Sequence, residues 1–340
     1  MIRRSRTTLQ EIARAAGVSA TTVSNVVNGR QNLMSAETWQ RVESTIRELN
    51  YRPNEEARSL RLSQRRMIGL IVVDGSPDYL ADPMITNIVA GLSNFLGVNG
   101  YGLLVTGVSP AAVDSAHILR RDQTDAICVI PSGTGAEQKR LYASLAELGQ
   151  PVVVFQDDPP KQFPDCLSIQ QDDFGAGKMI GETLAASGTQ SVVFIGTAQP
   201  WHALLARERG LRSALEAAGT QVITIASATE EVEDVRQAVM RHIERNGLPG
   251  AFVGANDQMA IGALNWALDH NLRVPEDVRV AGFNGFGFAD FVRPLLTTAR
   301  SPAYEMGRAG AEHLLERLSG KEFPSAPIIL PVQMRPGKSG

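Results

Sequence analysis

From residue 67 onward the sequence alternates short apolar runs with segments of helical periodicity, and this alternation limits the fold more than any other feature. The apolar runs are MIGLIVV, GYGLLVTG, DAICVI, QPVVVF, SVVFIG, GAFVGA and VRVAGF. The helical segments include PMITNIVAGLSNFL, KRLYASLAEL, RGLRSALEAAG and DQMAIGALNWALDH. Continuous apolar runs are typical of parallel strands that are buried on both faces. The pattern therefore predicts a doubly wound α/β architecture, in which ligands bind beyond the carboxyl ends of the strands.

The first 52 residues have the pattern of three short amphipathic helices. Thr8 opens the first helix with capping-box spacing, and Gly17 ends it. Ser19 can cap a second helix. A third is expected from about 35 to 50, with a buried face that consists of Trp39, Val42, Ile46 and Leu49. Because a turn of three or four residues joins the first two helices, the segment is predicted to be a small all-α helix-turn-helix headpiece.

The first turn of the second helix exposes only small or hydroxylic side chains, namely Ala20, Thr21, Thr22 and Ser24. A helix that needs only solubility carries Lys and Glu there. Small residues allow a recognition helix to enter the major groove, where hydroxyls bond phosphates and an Asn such as Asn25 can pair with adenine. A three-helix cap that packs on protein would explain the apolar positions equally well, but it does not explain this bare first turn.

Charge also separates the two parts of the chain. Residues 1–66 contain twelve Arg, no Lys and six Glu, although the whole chain has a net charge of −3. Such a basic segment is a candidate for binding a polyanion, with a solvated surface as the alternative.

The segment 53–66 starts a further helix at Pro53 and Asn54 but leaves room for only about two turns. A helix too short to be stable alone can fold on DNA, with Leu60 as a wedge between base steps of the minor groove. A plain linker, with Leu60 packed on a neighbour, fits the periodicity equally well.

Two stretches, TLQEIARAAGVSATTVSNVVNG and ETWQRVESTIRELNYRPNEEARSLR, closely resemble the LacI/GalR family of bacterial transcription regulators, and the resemblance extends over nearly the whole chain. It implies a homodimer that binds an inverted-repeat operator in double-stranded DNA and responds to a small-molecule effector. It also implies base contacts from Ala20, Thr21 and Asn25, and phosphate contacts from Thr22 and Ser24. The further expected DNA contacts are Thr8, Ser19, Asn28, Tyr51, Asn54, Ala57 and Leu60.

The resemblance also implies the domain organisation. We expect a DNA-binding headpiece over 1–52, a hinge helix and linker over 53–66, and an effector-binding and dimerisation domain over 67–340. The last part resembles the type I periplasmic-binding-protein fold, with two lobes joined by three crossovers. The expected lobes are about 67–165 with 297–322, and about 166–296 with 323–340.

Several residues are expected in the cleft between the lobes. Asn256 and Asp257 follow a strand and begin a helix; Asp257 is equally explained as an N-cap, whereas Asn256 is harder to explain in that way. Arg207 matches the family's effector-binding arginine, with Arg209 as its competitor, and Asn284 stands where the family commonly has Asp. The other expected cleft residues are Asp74, Tyr79, Gln156, Asp157 and Trp201.

Catalytic and metal sites are not expected. FGAGK at 174–178 lacks the glycine and hydroxyl positions of a phosphate loop, and the aromatics of GFNGFG would obstruct a dinucleotide. The five histidines lack ligand spacing: His117, His202, His242, His270 and His313. We therefore expect neither an enzyme nor a cofactor.

No apolar run approaches the length of a membrane span, and no secretory signal is recognisable, so we expect a cytoplasmic protein without membrane partners. Cys128 and Cys166 are expected to be buried packing residues. The predicted function is that of a repressor controlled by a sugar or sugar derivative. A purine-like or other corepressor, a solute-binding transport protein and a sugar- or nucleotide-modifying enzyme are the alternatives.

Overall fold

The computed structural model of the protein describes residues 7–51, 65–120, 123–198 and 201–340. The chain divides between Arg65 and Arg66 into two compact units, each with its own hydrophobic core. The segment expected to form the hinge helix, with Asn54, Ala57 and Leu60, lies outside the described residues.

The first unit contains the three predicted helices: α1 (Leu9–Ala16), α2 (Ala20–Val27) and α3 (Ala36–Glu48). The capping box at Thr8 is formed, and Gly17 adopts the left-handed conformation that ends α1. The buried core of this unit consists of Ile12, Ala13, Ala16, Val23, Val26 and Val42. The prediction that Leu49 is buried is wrong: α3 ends one residue earlier, and the Leu49 side chain is exposed.

The second unit contains two six-stranded sheets. The first sheet has the order β11-β5-β4-β3-β1-β2 and is parallel throughout. Its strands are β1 (Met67–Val73), β2 (Gly102–Val108), β3 (Ala126–Ile130), β4 (Val152–Phe155), β5 (Cys166–Gln171) and β11 (Ile328–Leu330).

The second sheet has the order β12-β10-β9-β8-β6-β7, and only β12 is antiparallel to its neighbour. Its strands are β6 (Ser191–Thr197), β7 (Gln221–Ser227), β8 (Ala251–Gly254), β9 (Arg279–Asn284), β10 (Thr297–Arg300) and β12 (Gln333–Arg335).

Helices cover both sheets, as a doubly wound fold requires. They are α4 (Pro83–Val98), α5 (Gly135–Leu148), α6 (Asp173–Ala186), α7 (His202–Ala217), α8 (Val232–Asn246), α9 (Asp257–Asp269) and α10 (Ala303–Leu318). No helix in the described ranges is long and apolar enough to cross a membrane. The expectation for the cysteines holds only for Cys128, because Cys166 at the start of β5 is half-buried.

The crossovers between the lobes lie later in the chain than expected. Strand β5 pairs with β4 in the first sheet, so the chain leaves that lobe after Gln171 and not near 165. Strand β10 pairs with β9 in the second sheet, which moves the second crossover from 297 to Ser301. Strand β11 pairs with β5, which moves the third from 323 to residues 331–332. The pairing of short or polar strands sets these positions, and no long apolar run marks them.

Candidate DNA-contacting surface and effector cleft

Helix α2 presents the predicted DNA-contacting side chains. Its N-cap Ser19 accepts a hydrogen bond from the Thr22 N–H at 3.1 Å, and its inner side buries Val23 and Val26. Ala20 and Thr21 are exposed. Within the described residues the side chains of Thr21 and Asn25 make no hydrogen bond, so both polar groups are available to an external partner.

Other predicted contacts have roles inside the headpiece as well. Thr8 caps α1, and the Asn28 side chain donates to the Ser24 carbonyl at 2.6 Å. Tyr51 packs against the core of the unit. Residues 7–51 hold four Arg and four Glu, so the basic excess comes from the flanking segments 1–6 and 52–66.

Arg207 is a buried charged residue of the second lobe, close enough to the first lobe for its charge to lower the pKa of Asp82. Its side chain on α7 is 3% exposed, whereas Arg209 on the same helix is exposed. Its Nε donates to Asp173 Oδ1 at 2.7 Å, and its Nη atoms donate to the Ala255 carbonyl at 2.7 Å and to Asn284 Oδ1 at 2.9 Å. Three of its five N–H groups are thus engaged, and the fork can still hydrogen-bond a ligand.

The roles of Asn256 and Asp257 are the reverse of those considered from the sequence. Asn256 is the N-cap of α9, since its Oδ1 accepts from the Met259 N–H at 2.9 Å. Asp257 is 1% exposed and accepts from Thr298 Oγ1 and the Gly285 N–H, both at 2.6 Å. Burial raises the pKa of Asp257 to about 7, although these hydrogen bonds favour the charged form.

Carboxylates from both lobes face each other at the cleft. The pKa of Glu230 is raised by burial and then by the charges of Asp82 and Asp74, which belong to the first lobe. The pKa of Asp82 is likewise raised by burial and by Asp74. Glu230 also accepts from Asn256 Nδ2 at 2.7 Å. Tyr79 covers the end of β2 so closely that a Cβ on Gly107 would lie 2.2 Å from its ring.

The remaining predicted cleft residues divide into two groups. Gln156 lies near Arg207, because its Nε2 is 3.4 Å from Asp173 Oδ2. Asp157 instead accepts from Tyr142 Oη at 2.7 Å within the first lobe. Trp201 is half-exposed at the start of α7.

Sequence reasoning missed four residues of this region: Asp82, Asp173, Glu230 and Ser301. Asp82 and Asp173 each lie at the beginning of a helix. In QQDDFGAG, Asp172 alone is enough to cap the helix, so the adjacent Asp173 could have been recognised from the sequence as a candidate for a buried charge. Ser301 and Glu230 follow strands β10 and β7, so only an accurate strand assignment would have pointed to them.

Comparison with known proteins agrees with both units. Residues 8–54 match the model for bacterial regulatory proteins of the lacI family, and residues 182–340 match the periplasmic binding protein-like domain. The HTH-type transcriptional repressor PurR of Pasteurella multocida is 28% identical over 326 residues, covering 94% of this chain and 95% of PurR. Catabolite control protein A of Staphylococcus aureus is 28% identical over 331 residues, covering 95% and 96% of the two chains.

Two solved structures extend the likeness to the fold. The lac repressor bound to ONPG has a TM-score of 0.81 at 26% identity and covers 99% of this chain and 100% of its own. The complex of the regulator CelR with cellobiose has a TM-score of 0.71 at 26% identity and covers 98% of this chain and 100% of its own. The predicted fold class is confirmed, and these relatives are transcription regulators and not enzymes. The chain belongs to the lacI family of bacterial regulatory proteins.

Proposed function

We propose that this regulator is a repressor that binds a palindromic operator as a homodimer, and that a sugar or sugar derivative in the cleft switches its affinity for DNA. The proposal rests on one observation: the chain combines a helix whose Thr21 and Asn25 side chains make no hydrogen bond to any residue that the structure describes with a two-lobed unit that buries Arg207 at its cleft. Among its relatives, a lac repressor structure with a TM-score of 0.80 is a dimer bound to operator and the anti-inducer ONPF.

For the DNA half, base contacts supply sequence choice and phosphate contacts supply affinity that falls with salt. An operator is obtained by selecting random duplexes with the purified protein, and we expect an inverted repeat. Failure of any inverted repeat to outcompete random duplex would overturn this half of the proposal.

Leu60→Ala tests the proposed wedge. Loss of the wedge should weaken operator binding while binding to random duplex stays nearly unchanged. Leu49→Ala is the matched control, since Leu49 is an exposed leucine of the headpiece. Equal losses on operator and random duplex would show that Leu60 is no wedge.

For the effector half, the ligand must bind the two lobe arrangements with different affinities. A thermal-shift screen of free sugars, amino sugars, sugar phosphates and purines identifies ligands, because a ligand at 100 times its Kd adds about 2.7 kcal/mol of stability.

Arg207→Lys then tests the arginine. Lysine keeps the positive charge beside Asp173 but cannot reproduce the fork that reaches Ala255 and Asn284. We expect the variant to lose the ligand shift, whereas Arg209→Lys on the exposed side of α7 should keep it. A ligand response that survives in Arg207→Lys would remove Arg207 from the effector site.

A further inference from the structure

Five residues form a closed circuit of hydrogen bonds, which we call the hinge ring. Arg207 Nε and Gln171 Nε2 both donate to Asp173 Oδ1, at 2.7 and 2.8 Å. Ser301 Oγ donates to Gln171 Oε1 at 2.6 Å, and the Ser301 N–H donates to the Asn284 carbonyl at 2.9 Å. Arg207 Nη2 completes the circuit by donating to Asn284 Oδ1 at 2.9 Å.

The hinge ring spans two of the three crossovers between the lobes. Gln171 is the last residue of β5 in the first sheet, and Asp173 is the first residue of α6 in the second lobe, so the first crossover passes between them. Ser301 lies in the second crossover, between β10 and α10. A rotation of one lobe against the other bends the chain at these positions and changes the distances within the hinge ring.

Burial strengthens the hydrogen bonds of the hinge ring. Gln171, Asp173 and Arg207 are 5%, 7% and 3% exposed. In such surroundings a charge-assisted hydrogen bond is stronger than in water. Removal of one partner leaves the other as an unpaired buried polar or charged group, which destabilises the folded protein. Asp173 neutralises Arg207, and its own charge suits the amino end of α6.

We propose that Asp173 is a positioning residue for Arg207, and that the hinge ring couples occupancy of the cleft to the angle between the lobes. The inference rests on the proposed role of Arg207 in binding the effector. A ligand that hydrogen-bonds the remaining N–H groups of the Arg207 fork shifts the guanidinium and so changes its hydrogen bond to Asn284, which is one side of the ring. Because Gln171 and Ser301 on the other side lie at the crossovers, that change favours one lobe arrangement over the other.

A double-mutant cycle tests the coupling. Operator Kd is measured by fluorescence anisotropy for the full-length wild type, Asp173→Asn, Ser301→Ala and the double variant. Asp173 and Ser301 make no hydrogen bond to each other within the ring; they are joined through Gln171 on one side and through Arg207 and Asn284 on the other. Independent effects of the two substitutions would multiply. We expect the double variant to change Kd by at least about twofold less than the product of the single changes.

Matched controls are Asp114→Asn and Ser115→Ala, which make the same chemical changes in an exposed segment of the first lobe. Both should leave operator Kd unchanged. Single effects that simply multiply, or single variants that bind operator as the wild type does, would overturn the proposal.

A spectroscopic measurement needs only the mild variant Ser301→Ala. The Arg207 Nε–H resonance is observed in protein labelled with ¹⁵N-arginine and assigned by its loss in Arg207→Lys. Ser301 has no hydrogen bond to the Arg207 side chain, yet its removal should shift this resonance, whereas Ser115→Ala should not. An unshifted resonance in Ser301→Ala would overturn the hinge ring.

The two proposals fail in different ways. If the effects of Asp173→Asn and Ser301→Ala are coupled while Arg207→Lys still responds to ligand, the assignment of Arg207 to the effector site is wrong and the coupling through the hinge ring is supported. If Arg207→Lys loses its ligand response while the ring effects multiply, the effector assignment stands and the hinge ring is wrong.

Discussion

Replacement of Gly210 by alanine should separate two helices that now touch through their backbones. An ideal Cβ on Gly210 would lie 2.0 Å from the Phe174 carbonyl oxygen, and a Cβ on Gly177 would lie 2.0 Å from the Arg207 carbonyl oxygen. A carbon and an oxygen in contact are normally about 3.3 Å or more apart. Helices α6 and α7 must therefore move apart by roughly 1 Å or shift along each other in the variant.

The expected cost follows from two opposed effects. Overpacking in a well-packed core costs about 1–3 kcal/mol and occasionally more, while alanine is about 1 kcal/mol better than glycine in a helix. Because the clash is with a carbonyl oxygen and not with a flexible side chain, we expect the upper end of the first range and a net loss of about 2 kcal/mol. For a unit of this size such a loss lowers Tm by roughly 4–8 °C.

Differential scanning calorimetry of the full chain measures the effect, with Gly97→Ala as the control. Gly97 lies near the end of α4 and has open space around its Cβ position, so this variant should be unchanged or slightly stabilised. Gly210→Ala should also weaken the ligand shift, because α7 carries Arg207. A Gly210→Ala variant as stable as Gly97→Ala would refute the close crossing of α6 and α7.

Three further outcomes are expected. Burial raises the folded pKa of Asp257 to about 7, so its contribution to stability is fully present below the unfolded pKa near 3.9 and is lost as pH rises through 7; about 2–3 kcal/mol of that loss falls between pH 5 and pH 8. Urea titrations at pH 5 and pH 8 should show this decline in the free energy of unfolding for the wild type and not for Asp257→Asn. An equal change between the two pH values in both proteins would contradict the prediction. Asn284→Asp should keep the hydrogen bond to Arg207 but change the rank order of ligands in thermal-shift screens, because Asp cannot donate; an unchanged order would count against a ligand contact. Asn25→Ala should reduce discrimination at particular base pairs by about 1–3 kcal/mol in competition with altered operators, whereas a uniform loss would indicate a phosphate contact.

Elements with strong local signals were predictable from the sequence. The capping box at Thr8 and the left-handed Gly17 delimit α1 through local hydrogen bonding and backbone freedom alone. Strand β1 is a run of apolar residues that is buried almost throughout, so its composition identifies it. Both features depend on residues close together in the chain.

Features that depend on distant partners were not predictable in the same way. Strand β10, with the sequence TTAR, becomes a strand by pairing with β9 and β12, which its own residues do not indicate. The resemblance placed Arg207 at the cleft, but it gave no indication of its partner Asp173, 34 residues earlier in the chain. The opposite roles of Asn256 and Asp257 arise because Asp257 meets Thr298, and no pattern around residue 257 reveals that contact.

The discontinuous construction of the lobes sets an order of events on the ribosome. Helices α1 to α3 contain a complete hydrophobic core within the first 51 residues, so the headpiece can fold as soon as it has emerged. The first sheet must wait, because its edge strand β11 and its covering helix α10 are synthesised after the whole of β6 to β10. During most of its synthesis the chain therefore has a finished headpiece beside an unfinished sensor, and control by a ligand can begin only when the last strands are in place.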